Sequence, residues 1–342
     1  MLRRHLGLPT AIVAGALALF ISAGPALACG GLIGPNGAVN LLRTTTFVGY
    51  HAGIEHYVTA FAYAGGGGKF GSITPLPGIP SNVERGGDWT LQRLIRETQP
   101  VFEAADARLA VPAASGVEIL LETRIDALDI TVLKGGGDDV GAWAKAHGFR
   151  LPPDAPEVLD FYAERSPIFM AASFDADAAA ARGQSIGDGT PIHVTIPTPN
   201  PWVPLRILGL GKADAERVEA DVYLLTDTIP AFLPAPTGRG MALAHSAAAN
   251  TFLLDDLRSD KGMDWIPADG WLSQIRLDAA PNELSYDLAV DASGQGTPSR
   301  LAAGLARPAS FNDPSVPAGP FLLLLATYLA GAVIVVSRLA AR

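Results

Sequence analysis

The chain has 342 residues, of which 49% are hydrophobic and one is a cysteine, and its formal net charge is −9. The excess of acidic residues argues against nucleic acid and anionic lipid as partners, because both are negatively charged. A single cysteine cannot form an internal disulfide, so a hydrophobic core must stabilise the fold.

The N-terminal end has the three parts of a secretory signal peptide. Two arginines stand near the start, residues 11–23 form an uncharged apolar run, and residues 26–28 (ALA) place alanine at both −3 and −1. This pattern predicts a signal peptide over residues 1–28. Cleavage there makes Cys29 the first residue of the mature chain.

Cys29 has several interpretations that the sequence leaves open. Its sulfur is a candidate for lipoprotein acylation, but a lipobox has leucine at −3, whereas Ala26 and Leu27 stand at −3 and −2 here. It is otherwise a free or externally paired thiol, or it packs against the fold. A thiol beside its own α-amine is also a candidate nucleophile and a candidate ligand for copper or zinc.

The first part of the mature chain favours β-structure. Residues 38–64 predict two strands joined by a turn at HAGIE, and residues 69–80 predict an extended edge segment that ends at prolines. The apolar spacing then changes to a helical period, with Asp88 as the predicted N-cap.

The middle of the chain adds a second helical region. Residues 117–133 predict a strand followed by a turn at KGGGDD, and residues 140–147 and 156–164 predict a helical hairpin with Gly148 as its stop. Short strands are predicted at 168–174, 192–196, 203–208, 218–225 and 272–277. The sequence therefore predicts an α+β fold, a mostly antiparallel β-sheet with inserted helices over residues 29–290.

The C-terminal end predicts a membrane tether. Residues 291–320 are rich in Ala, Gly, Ser and Pro and predict a linker, and residues 321–340 predict one transmembrane helix. Arg338 and Arg342 lie beyond the apolar run, which predicts a cytoplasmic C-terminus. All 34 acidic residues lie between the two ends. We expect a single-pass protein of the bacterial cell membrane with its bulk outside the cytoplasm.

One short stretch contains candidate metal ligands. His51, Glu55 and His56 fit H-x-x-x-E-H, which is one residue longer than the inverted zinc-protease motif. On a turn, these three side chains could still converge on a metal, alone or with Cys29; otherwise they are solvated turn residues. The sequence predicts no resident cofactor.

Several segments together resemble one bacterial family. They are Cys29-Gly30-Gly31, TPLPGIP, GDWTLQRLIRETQP, WAKAHGFRLPP with LDFY, IFMAASF, and PIHVTIPTPNPWVPLRILGLG, followed by a C-terminal span. In this order they resemble domain-of-unknown-function family 2330. The resemblance implies a secreted or membrane-tethered protein and assigns no functional residue.

These features favour a binding or scaffolding protein of the cell envelope over an enzyme. Residues 183–187 fit G-x-S-x-G, but an alanine-rich polar stretch precedes them and a loop follows, so they do not predict a nucleophile elbow. The expected partner is an envelope protein with a basic face or a divalent cation. The alternatives are an amide hydrolase that uses the Cys29 thiol and an envelope metal-binding protein.

Overall fold

The computed structural model describes seven stretches of the chain. They are residues 31–34, 37–38, 44–61, 70–98, 118–126, 128–174 and 190–307. The predicted signal peptide, Cys29, residues 183–187 and the predicted span 321–340 lie outside the described residues. Within the described residues, no helix combines the length and apolar character needed to cross a membrane.

Two large β-sheets form the centre of the fold. In spatial order, the seven-stranded sheet contains β14 (Met241–Ala248), β15 (Trp271–Ala279), β12 (Val218–Thr226), β3 (Thr44–His51), β4 (Ile54–Phe61), β10 (Thr190–Pro197) and β6 (Asn82–Arg85). The six-stranded sheet contains β2 (Gly37–Ala38), β1 (Gly31–Gly34), β5 (Phe70–Pro75), β9 (Ile168–Phe174), β8 (Leu128–Lys134) and β7 (Glu118–Ile125). A small third sheet contains β11 (Trp202–Val203), β16 (Leu288–Asp291) and β13 (Ala231–Leu233).

The two large sheets pack face to face around one apolar core. Val48 and Tyr57 of the seven-stranded sheet belong to the same buried cluster as Ile130 and Met170 of the six-stranded sheet. Among the described strands, only β3 and β12 pair in parallel. The prediction of a mostly antiparallel α+β fold is confirmed.

Within the described residues, four α-helices cover the outer faces of the two sheets. Helices α1 (Thr90–Thr98) and α4 (Thr251–Ser259) pack on the seven-stranded sheet through a cluster that includes Leu94 and Leu254. Helices α2 (Gly137–Ala146) and α3 (Ala155–Ala163) pack on the six-stranded sheet. The described fold therefore has four layers: helix, sheet, sheet and helix.

The helical hairpin and most strands lie where the sequence predicts them. Helices α2 and α3 form the predicted hairpin, and Gly148 has a φ of +82° directly after α2, as a left-handed helix stop requires. Strand β9 coincides with the predicted residues 168–174. Strands β3 and β4 are joined at Ala52 and Gly53, both with positive φ, which gives a two-residue hairpin turn.

Several predicted strand and turn positions differ from the structure. Strand β5 is not at an edge but lies between β1 and β9, and residues 71–75 are buried. The predicted turn at KGGGDD already contains the first turn of α2, which begins at Gly137. Residues 203–208 form only the end of β11 and a 3-10 helix (Arg206–Gly209).

Asp88 is not the N-cap of α1, because the helix begins at Thr90 and the carbonyl of Trp89 accepts its first backbone hydrogen bond, from Arg93. The carboxylate of Asp260 instead holds the residues at the start of the helix. Its oxygens accept the backbone N–H groups of Asp88 and Trp89, at 3.0 and 2.9 Å, and the hydroxyl of Thr90 at 2.8 Å. The start of α1 is therefore fixed by a residue at the end of α4, about 170 residues along the chain.

The described fold continues into the stretch that composition predicts as a linker. Ala302 and Ala303 are buried, and the carbonyl of Ala303 accepts the N–H of Asp287 at 3.0 Å. Residues 291–307 thus pack on the domain, whereas residues 308–320 lie outside the described residues.

Candidate functional site

The structure does not bring the three sequence-predicted metal ligands together. His51 lies at the exposed end of β3, where its Nδ1 is 2.6 Å from Oδ1 of Asp227. Glu55 and His56 are neighbours on β4, so their side chains point to opposite faces of the sheet. Within the described residues, no group of three or more His, Cys, Asp or Glu side chains is placed to hold a metal ion.

Glu55 is buried between the two sheets. Its Oε2 accepts the N–H of Trp202 at 3.2 Å, and its Oε1 has no partner among the described residues. Burial raises the pKa of Glu55 to about 8, because an ionised carboxylate loses its hydration there. The carboxyl group is therefore protonated at neutral pH.

His56 lies on the other face of the sheet in an aromatic stack. The indole of Trp265 is parallel to its ring, with the ring centroids 4.0 Å apart. The indole covers Gly49, which pairs with His56 across the β3–β4 ladder. A side chain at Gly49 would overlap the indole, so this glycine is what allows Trp265 to lie flat on the sheet.

His56 also faces His193 of the neighbouring strand β10. Its Nδ1 is 2.9 Å from Nε2 of His193, and the ring centroids are 5.1 Å apart, so the rings meet edge to edge. On its other side, Nδ1 of His193 is 3.3 Å from the carboxylate of Glu84. With a proton on that Nδ1, Nε2 of His193 accepts a hydrogen bond from His56.

The two imidazoles form a hydrogen bond and not a metal chelate. Burial lowers the pKa of both His56 and His193 to about 4, so both rings are neutral at neutral pH. The facing nitrogens point at each other rather than at a common third point. We therefore assign this pair a structural role that positions Trp265 on the sheet.

A cleft on the outer face of the six-stranded sheet is the better candidate site. It has a volume of about 390 Å³, within the usual range for small-molecule sites. Its floor is formed by strands β7, β8 and β9. The polar side chains of the floor are those of Glu122, Arg124, Asp129, Thr131 and Ser173.

The strand pairing explains why these polar side chains share one face. Glu122 is opposite Thr131, Arg124 is opposite Asp129, and Asp129 is opposite Ser173. Directly opposed residues point to the same side of a sheet. Arg124 and Asp129 form an ion pair at 3.3 Å, which holds part of the floor in place.

The C-terminal end of α2 forms the wall of the cleft. The ring of His147 stacks on Trp143 at a centroid distance of 3.7 Å, and its Nδ1 donates to the Trp143 carbonyl at 2.7 Å. Burial is the main reason that the pKa of His147 is lowered, so the neutral ring is favoured. Its Nε2 therefore carries a lone pair and acts as an acceptor.

The cleft also contains a buried hydroxyl whose hydrogen-bonding capacity is unused. Oγ of Ser173 is buried and has no partner among the described residues. The carboxylate of Glu122 and Nε2 of His147 add further acceptors to the lining. Such a lining suits a small ligand with several O–H or N–H donors.

A second cavity, near the β3–β4 turn, is less suitable. It has a volume of about 270 Å³ and includes Asp227 and Asp291. The Asp291 carboxylate already accepts the N–H groups of Ser293 and Thr297, each at 2.8 Å. Its acceptors are therefore largely satisfied by its own loop.

Sequence reasoning did not find the cleft, although the sequence contains a signal for it. The sequence predicts one strand over residues 117–133, yet Asp126 has a positive φ and turns the chain into the hairpin β7–β8. Polar residues at every second position on both sides of that turn then share the outer face. His147 follows Trp143 by four residues, which places both side chains on one helix face.

The chain belongs to the family described as "Uncharacterized protein conserved in bacteria (DUF2330)", whose model matches residues 24–229. This confirms the resemblance found in the sequence. No curated protein matches the chain.

Solved structures of a baculovirus protein show a weak likeness. A mutated baculovirus P35 after caspase cleavage has 9% identity and a TM-score of 0.36, over 74% of this chain and 98% of that chain. Baculovirus P35 itself has 11% identity and a TM-score of 0.31, over 60% of this chain and 74% of that chain. At these scores the likeness carries no conclusion about this protein.

Proposed function

We propose that the protein is a membrane-tethered, extracytoplasmic binding protein of the bacterial cell envelope, and that it binds a small polar ligand in the cleft beside α2. The observation that supports this most is the buried, unpartnered hydroxyl of Ser173 on the floor of that cleft. A buried hydroxyl without a partner costs about 1–3 kcal/mol. A ligand that hydrogen-bonds to it removes that cost.

The lining indicates the chemistry of the ligand. Glu122 and Nε2 of His147 are the acceptors that face a ligand, whereas Arg124 and Asp129 are paired with each other. An anionic ligand is therefore disfavoured beside the carboxylate of Glu122. A saccharide unit or a small amine supplies the donors that this lining needs, and the imidazole edge of His147 gives it an aromatic wall.

Calorimetric titration of the full chain in detergent micelles tests the site. The probes are glucose, N-acetylglucosamine, glucosamine and putrescine. We expect one of these classes to bind and Ser173→Val and Glu122→Gln to weaken binding. Hydrogen bonds to charged groups contribute about 1.5–3 kcal/mol, so Glu122→Gln should cost roughly 10-fold or more in Kd.

The matched control is Glu118→Gln, on the same strand. Glu118 pairs with Lys134 at 2.7 Å and does not line the cleft, so this substitution should leave Kd unchanged. Binding that is equal in all variants, or heat signals from none of the four probes, would contradict the cleft as the site.

The membrane tether rests on the two ends of the sequence. Its support is the three-part N-terminal pattern, the apolar run before the final arginines, and the acidic residues confined to the region between them. The intact mass of the mature protein from its own host's membranes tests it. A mass that starts at Cys29 with an added diacylglycerol identifies a lipoprotein.

The same mass also tests the alternatives that use Cys29. An acylated sulfur would exclude both the amide hydrolase with Cys29 as nucleophile and a metal site on that thiol. An unmodified Cys29 at the N-terminus would leave the amine and thiol free, and reaction with a thiol-directed electrophile would then test the nucleophile.

A further inference from the structure

The described sheets expose six edge strands, and five of them are protected against pairing with another chain. Strands β2 and β11 have two residues each, and β13 has three. Strand β6 has four residues and includes Glu84 and Arg85, and β7 exposes Glu118, Glu122 and Arg124. Short length and exposed charges are the usual means by which proteins prevent sheet edges from associating.

Strand β14 lacks both protections. It has eight residues, MALAHSAA, and no Asp, Glu, Lys or Arg stands between residues 240 and 254. Most of its side chains are exposed or half-exposed, and Leu243 is 44% exposed. Strand β9 also has no charged residue, but it lies inside its sheet and all its residues are buried. An uncharged strand of this length is therefore unusual at an edge.

The open part of the edge is its second half. The preceding loop covers the start of the strand, because the N–H of Leu243 donates to the carbonyl of Pro236 at 3.0 Å. The register with β15 shifts between Leu243 and His245, and regular pairing resumes from His245 to Ala248. On the outer side of residues 244–248, the described residues provide no backbone hydrogen-bond partner.

We infer that this edge binds the same edge of a second copy of the chain, in antiparallel orientation. Such a pair is self-complementary about a two-fold axis, and the two sheets join into one through backbone hydrogen bonds. Because the protein is strongly acidic, two copies repel each other over most of their surface. Repulsion is weakest where both copies present an uncharged strip.

The charged side chains at the two ends of the strip do not oppose this pairing. Arg239 is exposed just before the strand, whereas the exposed Asp255 and Asp256 of the helix that follows are already paired with Arg258 and Arg93. The antiparallel orientation follows from a two-fold axis perpendicular to the sheet, which places the same open edge of both copies side by side. Phe252, 77% exposed, extends the apolar strip beyond the strand.

Sedimentation of the full chain in density-matched detergent tests this inference. At micromolar concentrations we expect twice the monomer mass for the wild type. Lysines on the edge, Ala244→Lys or Ala248→Lys, should reduce that mass twofold to the monomer. Ala213→Lys, an exposed alanine away from this edge, makes the same change in charge and should remain dimeric. A monomeric wild type, or lysine variants that keep the dimer mass, would overturn the inference.

Disulfide trapping provides a second measurement that does not disturb the edge by adding charge. With Cys29→Ser, Ser246→Cys should form a covalent dimer under mild oxidation, because residue 246 is the midpoint of the open edge and lies nearest the two-fold axis of an antiparallel pair. Ser81→Cys, exposed beside the opposite sheet edge, is the matched control and should stay uncross-linked. Absent or equal cross-linking in the two variants would also overturn the inference.

Discussion

At the scale of single residues, several polar side chains are buried with part of their hydrogen-bonding capacity unused among the described residues. Glu55 is the most extreme, since it is buried between two sheets with one carboxyl oxygen unpartnered among the described residues. Its pKa of about 8 means that the folded protein holds a proton that the unfolded chain releases above its ordinary pKa of 4.5. Folding stability therefore depends on pH through this residue.

Glu55 lowers stability as pH rises from its ordinary pKa of 4.5 to its folded pKa of about 8, and its effect levels off above that. Below about pH 6.5 the buried His56 and His193, whose pKa is lowered to about 4, act in the opposite direction. We therefore expect a net fall in stability between about pH 6.5 and 8, with a slope smaller in size than the roughly 1.4 kcal/mol per pH unit of one full proton. Urea unfolding at several pH values measures it. Glu55→Gln should remove the slope, whereas Glu164→Gln, at an exposed site, should keep it. A slope that persists in Glu55→Gln would assign it to another group.

A second prediction at this scale concerns Gly49. A methyl group there would overlap the indole of Trp265, so Gly49→Ala should displace Trp265 from His56. Overpacking of this kind costs about 1–3 kcal/mol. Urea unfolding gives the loss, and tryptophan fluorescence reports the movement of the ring.

Gly238→Ala is the matched control for Gly49, because a Cβ there meets no atom within 4 Å. It should leave both stability and fluorescence close to those of the wild type. Equal effects of the two substitutions would mean that the flat packing of Trp265 does not depend on Gly49.

At the scale of elements, helix α1 depends on a carboxylate from another helix. Asp260 ends α4 and accepts two backbone N–H groups at the start of α1, where an anion also interacts favourably with the helix dipole. We expect Asp260→Ala to destabilise the protein by about 1–3 kcal/mol. Amide exchange in α1 should accelerate more than in α2.

Asp255→Ala is the control for that prediction, since Asp255 is exposed on the same helix and pairs only with Arg258 among the described contacts. It should change stability by a few tenths of a kcal/mol, as exposed ion pairs do. Faster exchange spread evenly over all four helices in Asp260→Ala would indicate global unfolding and not the loss of one cap.

The elements also show which features a sequence can predict. The helical hairpin and strand β9 follow from local apolar periods and from Gly148, all of which act within a few residues. Strand β5 does not, because its central place comes from pairing with β1 and with β9, both of which are distant in the sequence. The 3-10 helix after β11 forms because the N–H groups of Leu205 and Arg206 reach the carboxylate of Asp287, about 80 residues away.

Local sequence patterns could not predict the candidate site either, because it also depends on contacts between residues that are distant in the sequence. His56 and His193 meet only through the register of β4 with β10, and no spacing within the motif at residues 51–56 contains that register. The cleft requires the turn at Asp126 and the position of α2 over the sheet. The composition and the two chain ends, by contrast, suggest a compartment without any knowledge of the fold.

At the scale of the whole molecule, the buried carboxylate of Asp287 joins distant parts of the chain. It pairs with the buried guanidinium of Arg165 and accepts the hydroxyl of Tyr162 at 2.8 Å, both from the α3 region. Arg165 in turn donates to the carbonyl of Ala302 at 2.7 Å. The segment after β16 therefore completes the shell around a buried ion pair, although its composition resembles that of a linker.

This arrangement predicts where the folded unit ends. A chain that stops at residue 290 loses the carbonyl acceptors of Arg165 and of the Asp287 N–H, together with the buried Ala302 and Ala303. Each donor left unsatisfied costs about 1–3 kcal/mol, and more when it is charged. Urea unfolding should therefore show a loss of at least about 3 kcal/mol relative to a chain that stops at residue 307. Equal stability of the two chains would mean that residues 291–307 belong to a linker and not to the folded unit.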